Sequence, residues 1–418
     1  MARVATQGAS CPFSEPSQDF RPYDMADPFP FYAWLRDQAP VFYSEETGYY
    51  VVSRHADIKA VFDDWRTFSS ENAQAPMRPM CDEGRRIMRD GGFTAYSGLS
   101  ARVPPEHTRL RAIVQGCFGP RRFKAIEPQI REIVNAQIDG FIDRGHADFF
   151  REFAYDVPAL VLFKLVGVPN ADVPRVKAWS VSRALLTWGN LSDDEQLPHA
   201  HNMVEYWAYC RALVAARHEN PTDDLPGDLV RLQAGGAEIS DDEIAGVLYS
   251  VLFAGHETTT TLLANGIDSL LSYRDNWVAI VADRSRIPAA VDEVLRFSPS
   301  IVAWRRKATT DATIGGVKVP EGANILLLIG SANRDERVID HPETFDIARR
   351  DARQHLSFGY GIHSCVGQQL AKLESTIALE ELTRRIPSLR LAPNRSRTYL
   401  NNISFRVPAA VAVEWDRA

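Results

Sequence analysis

A chain of 418 residues with 45% hydrophobic and 24% charged residues has the composition of an ordinary globular protein and can bury a large core. Its formal net charge of −7 speaks against nucleic acid as a partner, because a phosphate backbone calls for a basic surface. The N-terminal MARVATQGASCPFSEPSQ has no apolar stretch of signal length, and the longest aliphatic run, ILLLI at 325–329, is strand-sized, so a cytoplasmic protein without a membrane segment is expected.

In chain order, residues 1–20, rich in Ser, Pro and Gln, suggest a flexible arm. The stretch FPFYAWLRDQAPVFYSEETGYYVVSRHADIKAVFDD predicts a helix, two short strands and a helix. From about Pro128 to Asp275 the apolar spacing is mostly helical, with a break at VPNADVP. The longest helix is expected over 240–273, opening with Ser240 and Glu243 at capping-box spacing and carrying apolar residues on several faces, as a core helix does. Strands and Gly turns follow in ATIGGVKVPEGANILLLIGSANRD, and a last strand-like pair in TYLNNISFRVPAAVAVEWD. Nothing repeats, and no linker divides the chain.

The five cysteines (Cys11, Cys81, Cys117, Cys210 and Cys365) are odd in number and never in CxxC pairs, which suggests neither a disulfide framework nor a zinc site. Cys365 differs from the others. It lies in HLSFGYGIHSCVGQQLAKLE, where glycines at 359, 361 and 367 permit a tight loop running into a predicted helix. A helix N-terminus and inward-pointing amides stabilise a thiolate. One thiolate alone is poor for zinc or an iron–sulfur cluster, which want three or four ligands, but it suits one axial position on a heme iron. A lone cysteine is otherwise most often a small buried hydrophobe.

Inside the long helix, AGHETT (254–259) places His256 next to Glu257, yet the zinc-protease pattern needs a second histidine at 260, where the chain has Thr260. The Thr258 hydroxyl can instead compete for the Ala254 carbonyl, so that Glu257 and Thr258 make a polar notch in an apolar wall; an ordinary solvated helix face is the other reading. Farther on, Glu293 and Arg296 in AAVDEVLRFSPS stand three apart on one helix face and can pair.

In this order and at these separations the three motifs resemble those of the bacterial soluble cytochromes P450. FGYGIHSCVG fits the heme-binding signature at Phe358, Gly361, His363, Cys365 and Gly367. Ala254, Gly255, Glu257 and Thr258 fit the oxygen-activation motif, and Glu293 with Arg296 fits the Glu-x-x-Arg motif, with Arg349 of FDIARR as its third member. The stretches PVFYSEETGYYVVSRHADIKAVF, AWRRKATTDATIGGVKVPEGA, SANRDER and YLNNISFRVPAAVAVEWD are similar to the heme domains of the self-sufficient, reductase-fused bacterial enzymes. The resemblance implies a mainly α fold, a triangular helical body with a long central helix and a small β-rich lobe, as one domain over 21–418.

It further implies a monooxygenase with heme b held by Cys365, whose propionates meet His107, Arg111, Arg306 and His363; Arg306 rather than Arg305 follows from register. Glu257 and Thr258 would organise protons for O2, and one oxygen atom would enter a small apolar, aromatic substrate by hydroxylation or O-dealkylation. The pocket is expected around Phe93, Tyr96, Trp188, Leu252, Ala254, Val302 and Trp304. Electrons would come from NAD(P)H through a flavin reductase and an iron–sulfur ferredoxin docking beside Arg109, Arg111, Arg121, Arg122 and Lys124, a local basic patch that would otherwise be a solvated face. A monomer is expected, and both a stand-alone enzyme and the heme domain of a longer fusion fit a final strand near Ala418. A peroxide-driven peroxygenase and a non-catalytic heme-thiolate sensor are the rival readings.

Overall fold

The computed structural model describes residues 12–94, 98–393 and 397–417. Its centre is the helix Asp241–Ser272, which opens with the expected capping box: the Ser240 hydroxyl accepts from the Glu243 amide and the Glu243 carboxylate from the Ser240 amide. Apolar residues surround it on all sides, so Leu248, Leu252, Ala264 and Leu270 are fully buried and the helix can only exist inside a layer of others. Helices Val157–Val166, Val173–Trp188, Asp193–Glu219, Ile287–Phe297 and Gln368–Arg385 supply that layer. Pro120–Asp139 begins eight residues before Pro128, where the sequence pattern places its start; Pro128 sits inside this helix, Pro120 at its first turn.

The β-rich lobe is a five-stranded sheet in the spatial order Val41–Ser44, Tyr49–Val52, Asn324–Leu327, Trp304–Ala308, Phe68–Ser69. Only Tyr49–Val52 with Asn324–Leu327 is parallel. In this sheet Arg306 pairs with Ile325 and Arg305 with Leu326, and the pleat sends the two arginines to opposite faces. The Ile325 face joins Ile58, Phe62 and Leu356, whereas the Leu326 face joins Trp188, Phe253 and Phe405.

Two expectations are revised. Of the arm at 1–20, residues 1–11 lie outside the described residues, but Phe13 packs edge-on against Phe31 at 5.0 Å and Phe20 is buried against Phe31 and Phe42, so apolar burial ties this part down. The C-terminal strands do not pair with each other as a ladder: Tyr399 and Pro408 share a single bridge, and Ala412–Glu414 pairs with His146–Asp148 and Arg390–Leu391. Pro408 has no N–H to extend a ladder. Among the described residues, no helix is long and apolar enough to cross a membrane.

Candidate active site

The cysteine loop is closed by the Cys365 amide donating to the Phe358 carbonyl at 2.8 Å. Gly359 and Gly361 both have φ of +68°, and a Cβ on Gly361 would stand 2.9 Å from the Phe62 carbonyl oxygen, so the turn requires glycine there twice over. Gly367, at φ −90°, needs no such freedom; it caps the helix Gln368–Arg385. Cys365 is exposed by surface area, yet the protein crowded around it pushes its thiol up. The Gly367 amide, the Arg111 charge and the Gln368 amide pull the other way. The sulfur is thus open on one side and enclosed on the others, with two amides aimed at it.

Beside the loop, the His107 and His363 rings lie 4.1 Å apart, and neither nitrogen of either ring has a hydrogen-bond partner among the described residues. Burial lowers His107 to about 4, helped by Arg111. Burial lowers His363 to about 3, with Arg306, His107 and Arg111 adding to it; the Leu99 carbonyl is near enough to oppose this but not aligned as an acceptor. Arg306 is 1% exposed, its Nε is unpartnered, and burial brings it down to about 10. Arg111 donates to the Ser364 carbonyl at 2.6 Å. Four basic groups with no carboxylate paired to them among the described residues are costly to bury, and they fit a ligand that brings two carboxylates of its own. Heme b, with two propionates and an iron for the sulfur, is such a ligand. Arg306 lies on the side of His363, whereas Arg305 points to the other side of the sheet.

Within the central helix, the Thr258 hydroxyl donates to the Ala254 carbonyl at 2.9 Å, as its spacing predicts. Ala254 is exposed between buried Phe253 and buried His256, so this stretch faces open space at mid-helix. Glu257 Oε1 lies 3.2 Å from His256 Nε2, though the two are not aligned as a hydrogen bond. Buried Lys177 feels the Glu257 charge and is ion-paired to half-exposed Asp156. The Lys177–Asp156 pair thus lies within electrostatic range of Glu257, and of these three only Glu257 was visible in the motif.

Behind the loop, Glu293 accepts from Arg296 Nε and Nη2 at 2.7 and 2.8 Å and from Arg349 Nε at 3.1 Å, all three side chains being buried. The link from this triad to the cysteine loop is Asn333. Its carbonyl accepts from Arg296, its Nδ2 donates to Ser357 Oγ at 2.8 Å, and its Oδ1 accepts the Leu356 amide at 2.7 Å. Ser357 Oγ in turn donates to the Leu295 carbonyl. Sequence reasoning gave Asn333 and Ser357 no role, since a single Asn or Ser carries no spacing signal.

The expected pocket residues divide. Phe93 packs edge-on against Trp207 and Tyr249, whereas Trp188 stacks on Phe253 at 5.4 Å beside Trp304 and Phe405. Arg183 spans the two groups, with its guanidinium 4.2 Å from the Tyr249 ring and 5.1 Å from the Phe253 ring. Leu252 and Val302 are fully buried, and Tyr96 lies outside the described residues. The basic patch also shrinks: Arg109 pairs with Glu243 and Arg122 with Asp223 and Asp228, leaving Arg121 and Lys124 exposed.

Comparison with known proteins agrees with this geometry. The pattern of the family described as Cytochrome P450 matches residues 279–386. The vitamin D(3) 25-hydroxylase of Pseudonocardia autotrophica is 34% identical over 376 residues, covering 88% of each chain. A solved structure described as cytochrome P450 CREJ in complex with (4-ethylphenyl) dihydrogen phosphate is 53% identical, with a TM-score of 0.94, over 96% of this chain and 100% of that one. An intact type IV self-sufficient cytochrome P450 monooxygenase is 37% identical with a TM-score of 0.93, over 97% of this chain but 54% of that longer one. With the thiol loop, the orphaned basic cluster and the buried triad in place, the chain belongs to the cytochromes P450, heme b monooxygenases that draw electrons from NAD(P)H through redox partners.

Proposed function

We propose that this chain hydroxylates or O-dealkylates a small aromatic substrate, with Cys365 as the heme ligand, His107, Arg111, Arg306 and His363 on the propionates, and Glu257 with Thr258 handling protons. The observation that carries the reading is the exposed Cys365 beside the His107 and His363 ring nitrogens and Arg306 Nε, none of which has a partner among the described residues. Heme bound there would supply the O2 activation that the insertion of one oxygen atom into a C–H bond requires. The Gly367 and Gln368 amides and Arg111 oppose the burial that pushes the Cys365 thiol up, and would favour the thiolate as an iron ligand. The Thr258 hydroxyl donates to the Ala254 carbonyl until another acceptor competes for its proton, and Glu257, one residue away, would replace that proton. The surrounding wall of Phe253, Trp188 and Phe405 keeps bulk water away.

Aromatic side chains on both sides of Arg183 favour a substrate with a ring, and the similar structure named above contains an ethylphenyl ligand. A ferredoxin reduced by a flavoprotein is the donor that suits the exposed Arg121 and Lys124 on a chain of net charge −7. The Glu257–Thr258 pair favours O2 and a reductase over peroxide. In Cys365→Ala, the carbon monoxide complex of the reduced protein should lose the red-shifted band of thiolate-ligated heme; keeping it would sink the assignment. In Thr258→Ala, NAD(P)H should still be consumed but emerge mostly as hydrogen peroxide, and unchanged coupling to product would remove Thr258 from proton handling.

A further inference from the structure

His256 is the member of AGHETT to which the Glu257–Thr258 pair gives no role. It is fully buried on the central helix, with its ring edge-on to Phe163 at 5.2 Å. Its Nδ1 lies 2.7 Å from the Leu252 carbonyl oxygen. A carbonyl oxygen only accepts, so Nδ1 carries a hydrogen, and in a neutral ring Nε2 is then a bare lone pair. Nε2 is buried without a hydrogen-bond partner among the described residues, and it stands 3.2 Å from Glu257 Oε1, which is likewise buried and unpartnered. His107 and His363 face a site for a bound group; His256 faces a carboxyl of its own chain.

Two acceptor atoms at that separation, both shut off from water, repel each other unless a proton lies between them. Water cannot stand between atoms 3.2 Å apart. The nearby cation is engaged elsewhere, since Lys177 Nζ donates to the Tyr155 carbonyl and pairs with Asp156. Oε1 lies off the direction of an Nε2–H bond, but no hydrogen bond among the described residues has to break for the Glu257 carboxyl to turn into the plane of the ring. A proton there makes each orphan the partner of the other, and it joins an imidazole to the carboxyl that stands beside Thr258 in the chain.

We propose that His256 and Glu257 hold one proton in common, between Nε2 and Oε1, and that His256 is the positioning residue that keeps Glu257 loaded for Thr258. The second half rests on the reading of Glu257 and Thr258 as the groups that handle protons for O2. In that step the shared proton leaves Oε1 for the Thr258 hydroxyl as Thr258 gives up its own; a neutral imidazole and a carboxylate remain, and solvent returns the proton to the pair. The test is nitrogen NMR of histidine-labelled, heme-loaded protein as its reduced carbon monoxide complex near neutral pH, with His256 identified by its loss in His256→Gln. Infrared spectroscopy of the same sample reads Glu257, identified by Glu257→Gln. The expected result is an imidazolium signal for His256, or a carboxylic-acid C=O band for Glu257 that shifts in His256→Gln. A bare Nε2 beside an ionised Glu257 would overturn the proposal. With anisole as the probe substrate, His256→Gln should raise the share of NAD(P)H electrons lost as hydrogen peroxide about threefold, whereas Phe163→Leu, which loosens the same packing, should move it less than about 1.5-fold. Equal peroxide shares in His256→Gln and the unaltered enzyme, or an equal rise in both variants, would remove His256 from proton handling. If anisole gives no product or His256→Gln takes up no heme, the infrared band of the unaltered protein against Glu257→Gln decides. A missing thiolate band overturns the monooxygenase reading instead, and the spectra still report the shared proton in that case.

Discussion

Gly361 and Gly367 count alike in the heme-binding signature, but the structure gives them different reasons. Alanine at 361 must hold φ at +68° and meet the Phe62 carbonyl oxygen at 2.9 Å. Gly361→Ala is therefore expected to destabilise the protein by about 1–3 kcal/mol, measured by urea unfolding. At 367 a Cβ meets only Cys365 Sγ, at 3.8 Å, with an ordinary φ. Gly367→Ala should leave the unfolding midpoint of the heme-free protein nearly unchanged, so that weaker heme retention in this variant would report the bound group and not the fold. Similarly, Arg305 and Arg306 are indistinguishable as a pair of letters; the strand pleat sends one to the histidines and the other to Trp188.

Among elements, the helix Ile287–Phe297 and the cysteine loop are joined through side chains and not through a shared ladder. Among the described residues Glu293 is the one carboxylate that Arg296 and Arg349 both reach, so Glu293→Gln leaves buried positive charge and should cost roughly 3–5 kcal/mol. Asn333→Ala removes three side-chain hydrogen bonds, to the Leu295 carbonyl, Ser357 Oγ and the Leu356 amide, and orphans that amide, for about 2–4 kcal/mol. Thermal or urea unfolding should rank Glu293→Gln below Asn333→Ala, with both below the unaltered chain; the reverse order would make Asn333 the main brace. The capping box at Ser240 and the strand–turn–strand at 41–52 were legible because each is local in sequence. The Asn333 bridge was not, since its partners lie 23 to 38 residues away.

For the whole molecule, buried neutral histidines set a pH dependence. His107 and His355 are each lowered from 6.5 to about 4, chiefly by burial. Their unfolded forms bind protons first as pH falls, so stability is complete above about pH 6.5 and declines toward about pH 4. The urea midpoint of the heme-free protein should fall between about pH 7 and about pH 5, and His355→Gln should flatten that slope. A midpoint that rises over the same interval would contradict the burial of these rings.

What the sequence by itself determined were the features written in short spacings: the central helix and its cap, the thiol loop, the Thr258 hydroxyl on Ala254, and the triad members Glu293, Arg296 and Arg349. Tertiary structure decided what spacing cannot encode. It sent Arg305 and Arg306 to opposite faces, neutralised Arg109 and Arg122, split the aromatic residues into two groups around Arg183, and tied the loop to the triad through Asn333. The physical reason is that a local motif is held by bonds within a few residues, whereas the pairing state of a buried charge depends on which distant elements pack against it.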